Sequence, residues 1–583
     1  MKYLRLVKNK EDVTEKNNYK TIWYGNADNS VTYNDKYNSY IEATYNVTDA
    51  GETQLLSYIS ETNKFDISQL TEIWVDGIKQ DTIDYYYTFD TTGEHKARFV
   101  FPSNEAPISL KKMFNNTQSY IPLISVDFSH FNEKYVTSIN TIFQACTELT
   151  SIGDISNWDV SNITDMTGAF SKCVGLTYIG DLSNWDVSNV TNLQGIFMSC
   201  NKLTSIGDLS NWDVSNVTSI YRSFYFCYSL NSTGDLSNWN VSNVTNMSMT
   251  FTGCSNLTYI GDLSNWDVSN VTNMEATFYN CYNLTSIGDL SNWNVSNVTN
   301  MYYTFGTYDE FSKLTYIGDL SNWNVSNVTN ISYIFHSCSN LTSIGDLSNW
   351  DVSNAIDIQS MFCNCFSLTS IGDLSNWDVS NATSIRAMFN WCINLDQVLD
   401  VSKWDISKCT TLEYAFNACN KLKLRGISNW NTTNITNMHG ALRRCYSMEY
   451  DETDFSKWDT SKVTNMNQLF CNQEQGDDES YIGVKRTFAA IKHLPTMPST
   501  TSTVSMFLYA DELTTIGGAN TISASISFSS SPLTRDSALV ILNALDPDNP
   551  NTLTFSESTY ALLSEDDKNI GINKGWTVTS GVD

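Results

Sequence analysis

The sequence predicts a mainly β solenoid with one short strand and one helical turn per coil. It would open on a small β-sandwich-like domain and end in a small α-rich cap. Two observations carry this. Trp158, Trp185, Trp212, Trp239, Trp266 and Trp293 fall 27 residues apart, and the series runs on through Trp323, Trp350, Trp377, Trp404, Trp430 and Trp458 with small slips of length. A fixed period of this size marks repeats that cannot bury their apolar side alone and must stack. The phrase between tryptophans is also nearly constant. In Leu203 to Cys227 the apolar places are Leu203, Ile206, Leu209, Trp212, Val214, Val217, Ile220, Phe224 and Cys227.

Taken in order, residues 1–35 are polar with an aromatic patch at Ile22, Trp23 and Tyr24, and read as an N-terminal arm or anchor. Residues 36–103 carry β patterning. Ile41, Ala43, Tyr45 and Val47 alternate with polar residues, Ala97, Phe99 and Phe101 alternate with Lys96, Arg98 and Val100, and Asp76-Gly77 is a two-residue hairpin signal between Val75 and Ile78. Several short strands with turns predict a small immunoglobulin-like sandwich.

Residues 104–530 are the repeat region, irregular at 472–500. Leu203-x-x-Ile206-x-x-Leu209 is close to the strand signature of leucine-rich repeats, with Gly207 as a bulge or tight bend. Ile220 to Cys227 has helix-like spacing, so a helical or 3-10 turn is expected there. Tyr308 takes the place of Cys in its repeat, and three extra residues follow before Leu314. Residues 531–583 change register. A helix carries Leu539, Leu542 and Leu545, and a second starts at Ser564 with Asp567 and stops at Gly575. This segment reads as a C-terminal cap.

The 583-residue chain has a net charge of −29 and a pI near 4.4. Such a chain repels phosphate backbones, so no nucleic-acid partner is expected. No stretch approaches the roughly 18 consecutive apolar residues of a membrane helix, so no membrane insertion is expected either. The start, MKYLRLVKNKEDV, has too short an apolar run for a secretory signal. Eleven of the fourteen cysteines recur three residues after Phe or its equivalent, from Cys146 to Cys445, and read as small core hydrophobes carrying free thiols.

The residues that could carry chemistry are few. His95, His130, His336, His439 and His493 have no metal-ligand spacing, and no phosphate loop or nucleophile elbow is present. The expectation is a non-enzymatic protein without cofactor or metal. One polar feature recurs: Asp154, Asp181, Asp208, Asp235, Asp262, Asp289, Asp319, Asp346, Asp373 and Asp400, each four residues before a Trp. A cation chain is one reading. The favoured one is that each Asp accepts local backbone N–H bonds, since Ca²⁺ requires six or more oxygens. Asn216, Asn243 and their equivalents are expected to form an internal amide ladder.

Variation points to a surface. After the Met or Ile that follows Asn-Val-Thr, the repeats read TGA, QGI, YRS, SMT, EAT, YYT, SYI, QSM and RAM. Tyr225, Tyr228, Tyr279, Tyr282, Tyr302, Tyr303, Tyr308, Tyr333 and Trp391 cluster around the Phe and Cys positions, and Tyr178, Tyr259 and Tyr316 alternate with Ser at another. A constant frame with variable, Tyr-rich edges is how repeat proteins present a recognition surface.

The phrase Leu-Thr-Ser-Ile-Gly-Asp-Leu-Ser-Asn-Trp-Asp-Val-Ser-Asn-Val-Thr-Asn-Met, followed by Phe-x-x-Cys, resembles the BspA-like leucine-rich repeats over about residues 105–520. It is closest to the bacterial surface-protein variety with a 26-residue repeat, from which it departs by usually having 27. Tyr45 through Phe99 is similar to short β-domains that precede such repeats in gut bacteria and their phages. Ser531 through Thr577 looks like the cap on phage-encoded members. The resemblance implies adhesion to a protein or glycan ligand on a cell or mucosal surface. Members commonly carry a signal peptide or wall anchor, and a virion protein needs neither. The reading is therefore a phage virion component (fibre, tail or capsid-decorating protein) for host attachment. It would be assembled in the host cytoplasm and held to other virion proteins through its N-terminal region. A bacterial cell-surface adhesin is the alternative, and a second copy of the chain is a further partner to consider.

Overall fold

The computed structural model describes residues 39–102, 106–118, 120–308, 311–472 and 489–581. The expected arm at 1–35 and the acidic stretch at 473–480 lie outside the described residues.

Near the start, alternating apolar side chains build a five-stranded antiparallel sheet. Its order is Leu123–Asp127, Ser39–Val47, Gly93–Phe101, Glu72–Val75 and Ile78–Lys79. Ile41, Ala43 and Tyr45 on one face are fully buried, with Ala97 and Phe99 opposite them. The hairpin at Asp76-Gly77 forms with both residues at positive φ, 47° and 79°, as the tight turn between twisted strands requires. Two small antiparallel pairs, Gly51–Gln54 with Tyr86–Phe89 and Tyr58–Ser60 with Asn63–Lys64, complete the region.

Each regular repeat is bonded in register to its neighbours. The Trp212 indole lies parallel to those of Trp185 and Trp239, with ring centres 6.4 Å apart. Its Nε1–H donates to the carbonyl of Leu182, 2.9 Å away. Phe224 stacks between Phe197 and Phe251 at 5.8 and 5.4 Å. Asn216 Nδ2 donates to the Ser188 carbonyl at 2.7 Å, so the Asn ladder runs from amide to backbone carbonyl and not from amide to amide. The Cys227 thiol donates to the Phe197 carbonyl at 3.1 Å. Cysteines at this position are free and buried.

The segment Ile220 to Cys227 divides its N–H groups between two tasks. Those of Ile220, Arg222, Phe224 and Phe226 donate to Asn246, Ser248, Thr250 and Thr252 of the next repeat. Those of Ser223, Tyr225 and Cys227 donate three residues back within the same turn. Arg222 and Phe226 are both left-handed, φ 56°. The result is consecutive β-turns with a left-handed residue every fourth place. Inward-facing Ile220, Ser223, Phe224 and Cys227 are buried. Tyr221, Arg222, Tyr225 and Phe226 face outward.

These findings overturn the expected mainly β solenoid of leucine-rich-repeat type. Among the described residues of the regular repeats the Leu-x-x-Ile segment forms no continuous strand. Neighbouring repeats meet through single bridges such as Ser219 with Asn246 and Asn246 with Asn273. Short strands appear only where the phrase is irregular, as in Val398–Asp400 with Lys423–Arg425. The described sheets have two, three or five strands and none is closed. What recurs is a 3-10 turn of sequence Leu-Ser-Asn, at Leu209–Asn211, Leu236–Asn238 and Leu263–Asn265, together with the Trp ladder. The expected helical turn at Ile220 to Cys227 is the pair of β-turns, since a left-handed residue at every fourth place cannot continue a helix. Among the described residues, the N-terminal region from Ser39 is one five-stranded sheet with small flanking pairs, and not a two-sheet sandwich. The end is not simply α-rich. Three helices, Arg535–Ala544, Glu557–Leu562 and Glu565–Ile572, alternate with the parallel strands Ile526–Phe528, Thr552–Phe555 and Thr577–Ser580. Ser564 and Asp567 form a capping box on the last helix. One apolar core runs unbroken from Ile41 to Trp576.

Tyr308 is a further correction. It does not fill the Cys position. Its side chain is 66% exposed, and its N–H donates to Asn280 Oδ1 at 2.9 Å. Phe311 is exposed as well, and Leu314 is back in the core.

From Gly207 to Gly372 the glycine before the ladder Asp has two reasons to be glycine. Gly261 has φ 98°, and a Cβ there would overlap the carboxylate of Asp235 in the preceding repeat. Replacing Gly261 with Ala is expected to destabilise the chain by at least about 1–2 kcal/mol from backbone strain alone. Ala276→Gly, at a left-handed Ala, is expected to cost little or to stabilise. Chemical denaturation of the two variants checks the contrast, and equal effects would contradict it.

Candidate binding surface

The outward side of the β-turns is where the repeats differ. The third residue of the variable triplet is buried, as Ser223, Thr250, Thr277 and Thr304 show, while at least one of the first two stays partly exposed, as Tyr221, Met249, Glu275 and Tyr302 do. Those hydroxyls are occupied. Ser223 Oγ donates to the carbonyls of Leu193 and Ile220, and Thr250 Oγ1 to those of Ile220 and Met247. The third place therefore belongs to the frame.

Side chains at equivalent places line up from repeat to repeat. Tyr221, Glu275 and Tyr302 share one column. Arg222, Met249, Ala276, Tyr303 and Tyr333 share a second, and Tyr225, Thr252 and Tyr279 a third. The columns bring Tyr225, Tyr279, Tyr302 and Tyr303 around one cavity of about 170 Å³, together with Phe226, Met249, Thr252, Glu275 and Ala276. Tyr279 and Tyr302 pack on Tyr303 at 4.7 and 4.8 Å, and Tyr333 stacks on it at 4.5 Å. Burial among these rings pushes the Tyr303 hydroxyl well above the usual phenol range. The Arg222 guanidinium lies over Tyr221 and Tyr225 at 4.8 and 4.9 Å.

The other predicted residues lie outside this cavity. Tyr228 stacks on Phe226 at 5.3 Å and is 42% exposed. Tyr282 is half-buried, and its carbonyl accepts from Lys313 N–H at 3.0 Å. Tyr308 stands in solvent. Trp391 is further along, between Phe366 at 6.3 Å and the Arg444 guanidinium at 5.1 Å. Sequence reading did not single out Arg222, Phe226, Met249, Glu275 or Ala276. The available signal was the drop in side-chain size at Thr252 and Ala276 between larger residues of the same column.

The Asp ladder is a set of caps. Asp208 Oδ1 accepts from Ser210 N–H at 3.0 Å and opens the 3-10 turn Leu209–Asn211, and Asp235 and Asp262 do the same in their repeats. After each Trp, Asp213 and Asn240 accept equally from Ser215 and Ser242, which explains why either residue serves there. The Tyr259 and Tyr316 hydroxyls donate to the second oxygens of Asp235 and Asp289 at 3.4 and 3.0 Å. Among the described residues no group of three or more His, Cys, Asp or Glu is placed to hold a metal ion. No described helix is long and apolar enough to cross a membrane.

Bonds from the backbone N–H and then the hydroxyl of Ser237 hold the Asp235 carboxyl below its ordinary range, and Ser291 does the same for Asp289. A depressed folded-state pKa contributes stability that is complete above the unfolded value of about 3.9 and disappears as pH falls through the folded value. Thermal unfolding is therefore expected to show a falling midpoint below about pH 4. Asp235→Asn, which keeps the acceptor as Asn240 does, should blunt that fall slightly. A midpoint that stays level to the lowest pH would contradict the capping role.

A protein-family profile described as "Mycoplasma protein of unknown function, DUF285" matches residues 108–234, 203–316, 289–400 and 394–480. No curated protein and no solved structure matches the chain. The four matches run without a gap from residue 108 to 480, well over half of the sequence, and they coincide with the repeats that carry the Trp ladder and the turn face. The chain belongs to the DUF285 family of repeat proteins.

Proposed function

We propose that the chain is a non-enzymatic recognition protein whose turn face binds a protein or glycan ligand on a cell or mucosal surface. The observation that carries this is the confinement of variation. Inward residues repeat almost unchanged, while the outward columns change from repeat to repeat and concentrate tyrosine between Tyr221 and Tyr333. Tyrosine offers a large contact area at low entropic cost, which suits a face evolved for contact and not for packing. The phrase-level resemblance to BspA-like surface repeats supports adhesion as the purpose of that contact. The setting proposed with it is a phage virion, supported by the resemblance of the two end regions to phage-encoded proteins.

The test uses the full chain, fluorescently labelled and incubated with bacterial and mucosal cells. Replacing Tyr225, Tyr279 and Tyr302 together with Ser is expected to lower binding at least about tenfold, as loss of buried aromatic contacts at an interface does. The melting midpoint should stay near that of the parent, because these side chains lie outside the frame. Unchanged binding by the triple variant, or no binding by the parent, would contradict the proposal. Mass spectrometry of purified virions tests the setting, and absence of the chain would remove it.

A further inference from the structure

The cavity on the turn face has a shape and a charge balance that narrow its ligand. Tyr225 and Tyr279 stand at the same register place two repeats apart, and Thr252 between them is small. In the adjacent column Ala276 stands between Met249 and Tyr303. The surface therefore steps down between aromatic walls onto a floor of small side chains. At about 170 Å³ the space is well below the roughly 300–1,000 Å³ of pockets that enclose drug-sized ligands. It holds one ring-sized group.

Glu275 is the charged residue of the lining, and a positive charge stands beside the cavity. Glu275 lines one side, with Oε2 accepting from Asn300 Nδ2 at 3.1 Å. Arg222 does not line the cavity but borders it, with Nε 3.2 Å from Met249 Sδ and its guanidinium over Tyr225. A cationic ligand would meet Arg222, which already covers the faces of Tyr221 and Tyr225. An anionic ligand would meet Glu275 and a chain of net charge −29. A purely apolar group would strip water from Glu275 and return no hydrogen bond. A pyranose ring meets none of these objections. Its C–H faces pack on Tyr279 and Tyr302, and its hydroxyls donate to Glu275 and exchange hydrogen bonds with the tyrosine hydroxyls of the lining.

We propose that the cavity bounded by Tyr225, Glu275, Ala276, Tyr279, Tyr302 and Tyr303 binds a single uncharged pyranose unit of a glycan. This rests on the recognition reading above and specifies its ligand class.

Saturation-transfer NMR on the full chain tests it. The probes are methyl glycosides of glucose, galactose, mannose and N-acetylglucosamine, with tetramethylammonium as a cationic control. At least one glycoside is expected to show ring-proton saturation. Ala276→Tyr fills the cavity at a place where Tyr303 and Tyr333 already adopt the same left-handed backbone, so the fold accommodates it. This variant should weaken the signal at least tenfold. Saturation by none of the glycosides, a signal unchanged in Ala276→Tyr, or saturation by tetramethylammonium alone would each overturn the proposal. Cell binding by the chain without glycoside binding removes this proposal and leaves the recognition reading standing. Glycoside binding without cell binding does the reverse.

Discussion

Everything in the repeat region depends on one contact between neighbours: the tryptophan indole stacked in parallel on the one before it, with its N–H donated to a leucine carbonyl of that same preceding repeat. For Trp212, Trp239 and Trp266 the bond is 2.9 Å and the indoles are within 4° of parallel. The ring buries a large apolar area while its polar handle is satisfied, so the residue contributes packing without leaving an unpaired donor. The contact also sets register. A repeat displaced by one residue would lose the indole bond, the Asn216 bond to Ser188 and the Cys227 bond to Phe197 together. Gly207 then follows as a consequence, because a correct register brings the Asp181 carboxylate against its Cα and leaves no room for a Cβ.

How far the sequence could be read depended on whether a pattern has one structural source or two. The strand of alternating Ile41, Ala43, Tyr45 and Val47 and the turn at Asp76-Gly77 were legible because period two and a left-handed dipeptide each have a single local meaning. The Asp caps were legible for the same reason. Ile220, Ser223, Phe224 and Cys227 were misleading. Spacing of three, four and seven is that of a helix face, yet two successive β-turns with a left-handed residue every fourth place present the same inward set. Periodicity alone does not separate them, since Arg222, Met249, Tyr303 and Tyr333 occupy the left-handed place without being glycine. Leu203 to Ile206 has the apolar spacing of a strand, yet Gly207, at φ 85°, turns the chain before a ladder can extend.

The candidate site was half legible. Tyrosines could be seen to cluster, but which of them meet depends on the repeat-to-repeat alignment of columns. That alignment joins Tyr225 to Tyr279 across Thr252 and sends Tyr308 into solvent. The cavity itself was invisible because it is made by what is missing, at Thr252 and Ala276, and not by a motif. The frame and the face are thus separate in chemistry. Inward positions are fixed by stacking and by backbone carbonyls that need partners, and outward positions are under no such constraint. A repeat protein of this kind can change its outward face one column at a time without disturbing what holds it together.

Hydrogen–deuterium exchange on the intact chain tests the central claim most directly. The amides of Thr218, Thr245, Thr272 and Thr299 each donate to the equivalent Thr of the preceding repeat at 2.9 Å. Register-locked repeats predict slow exchange at all four as one block, with rates unaffected by substitutions at Tyr225 or Tyr279. Fast exchange at these amides, or protection that changes with the identity of the turn-face residues, would contradict the account.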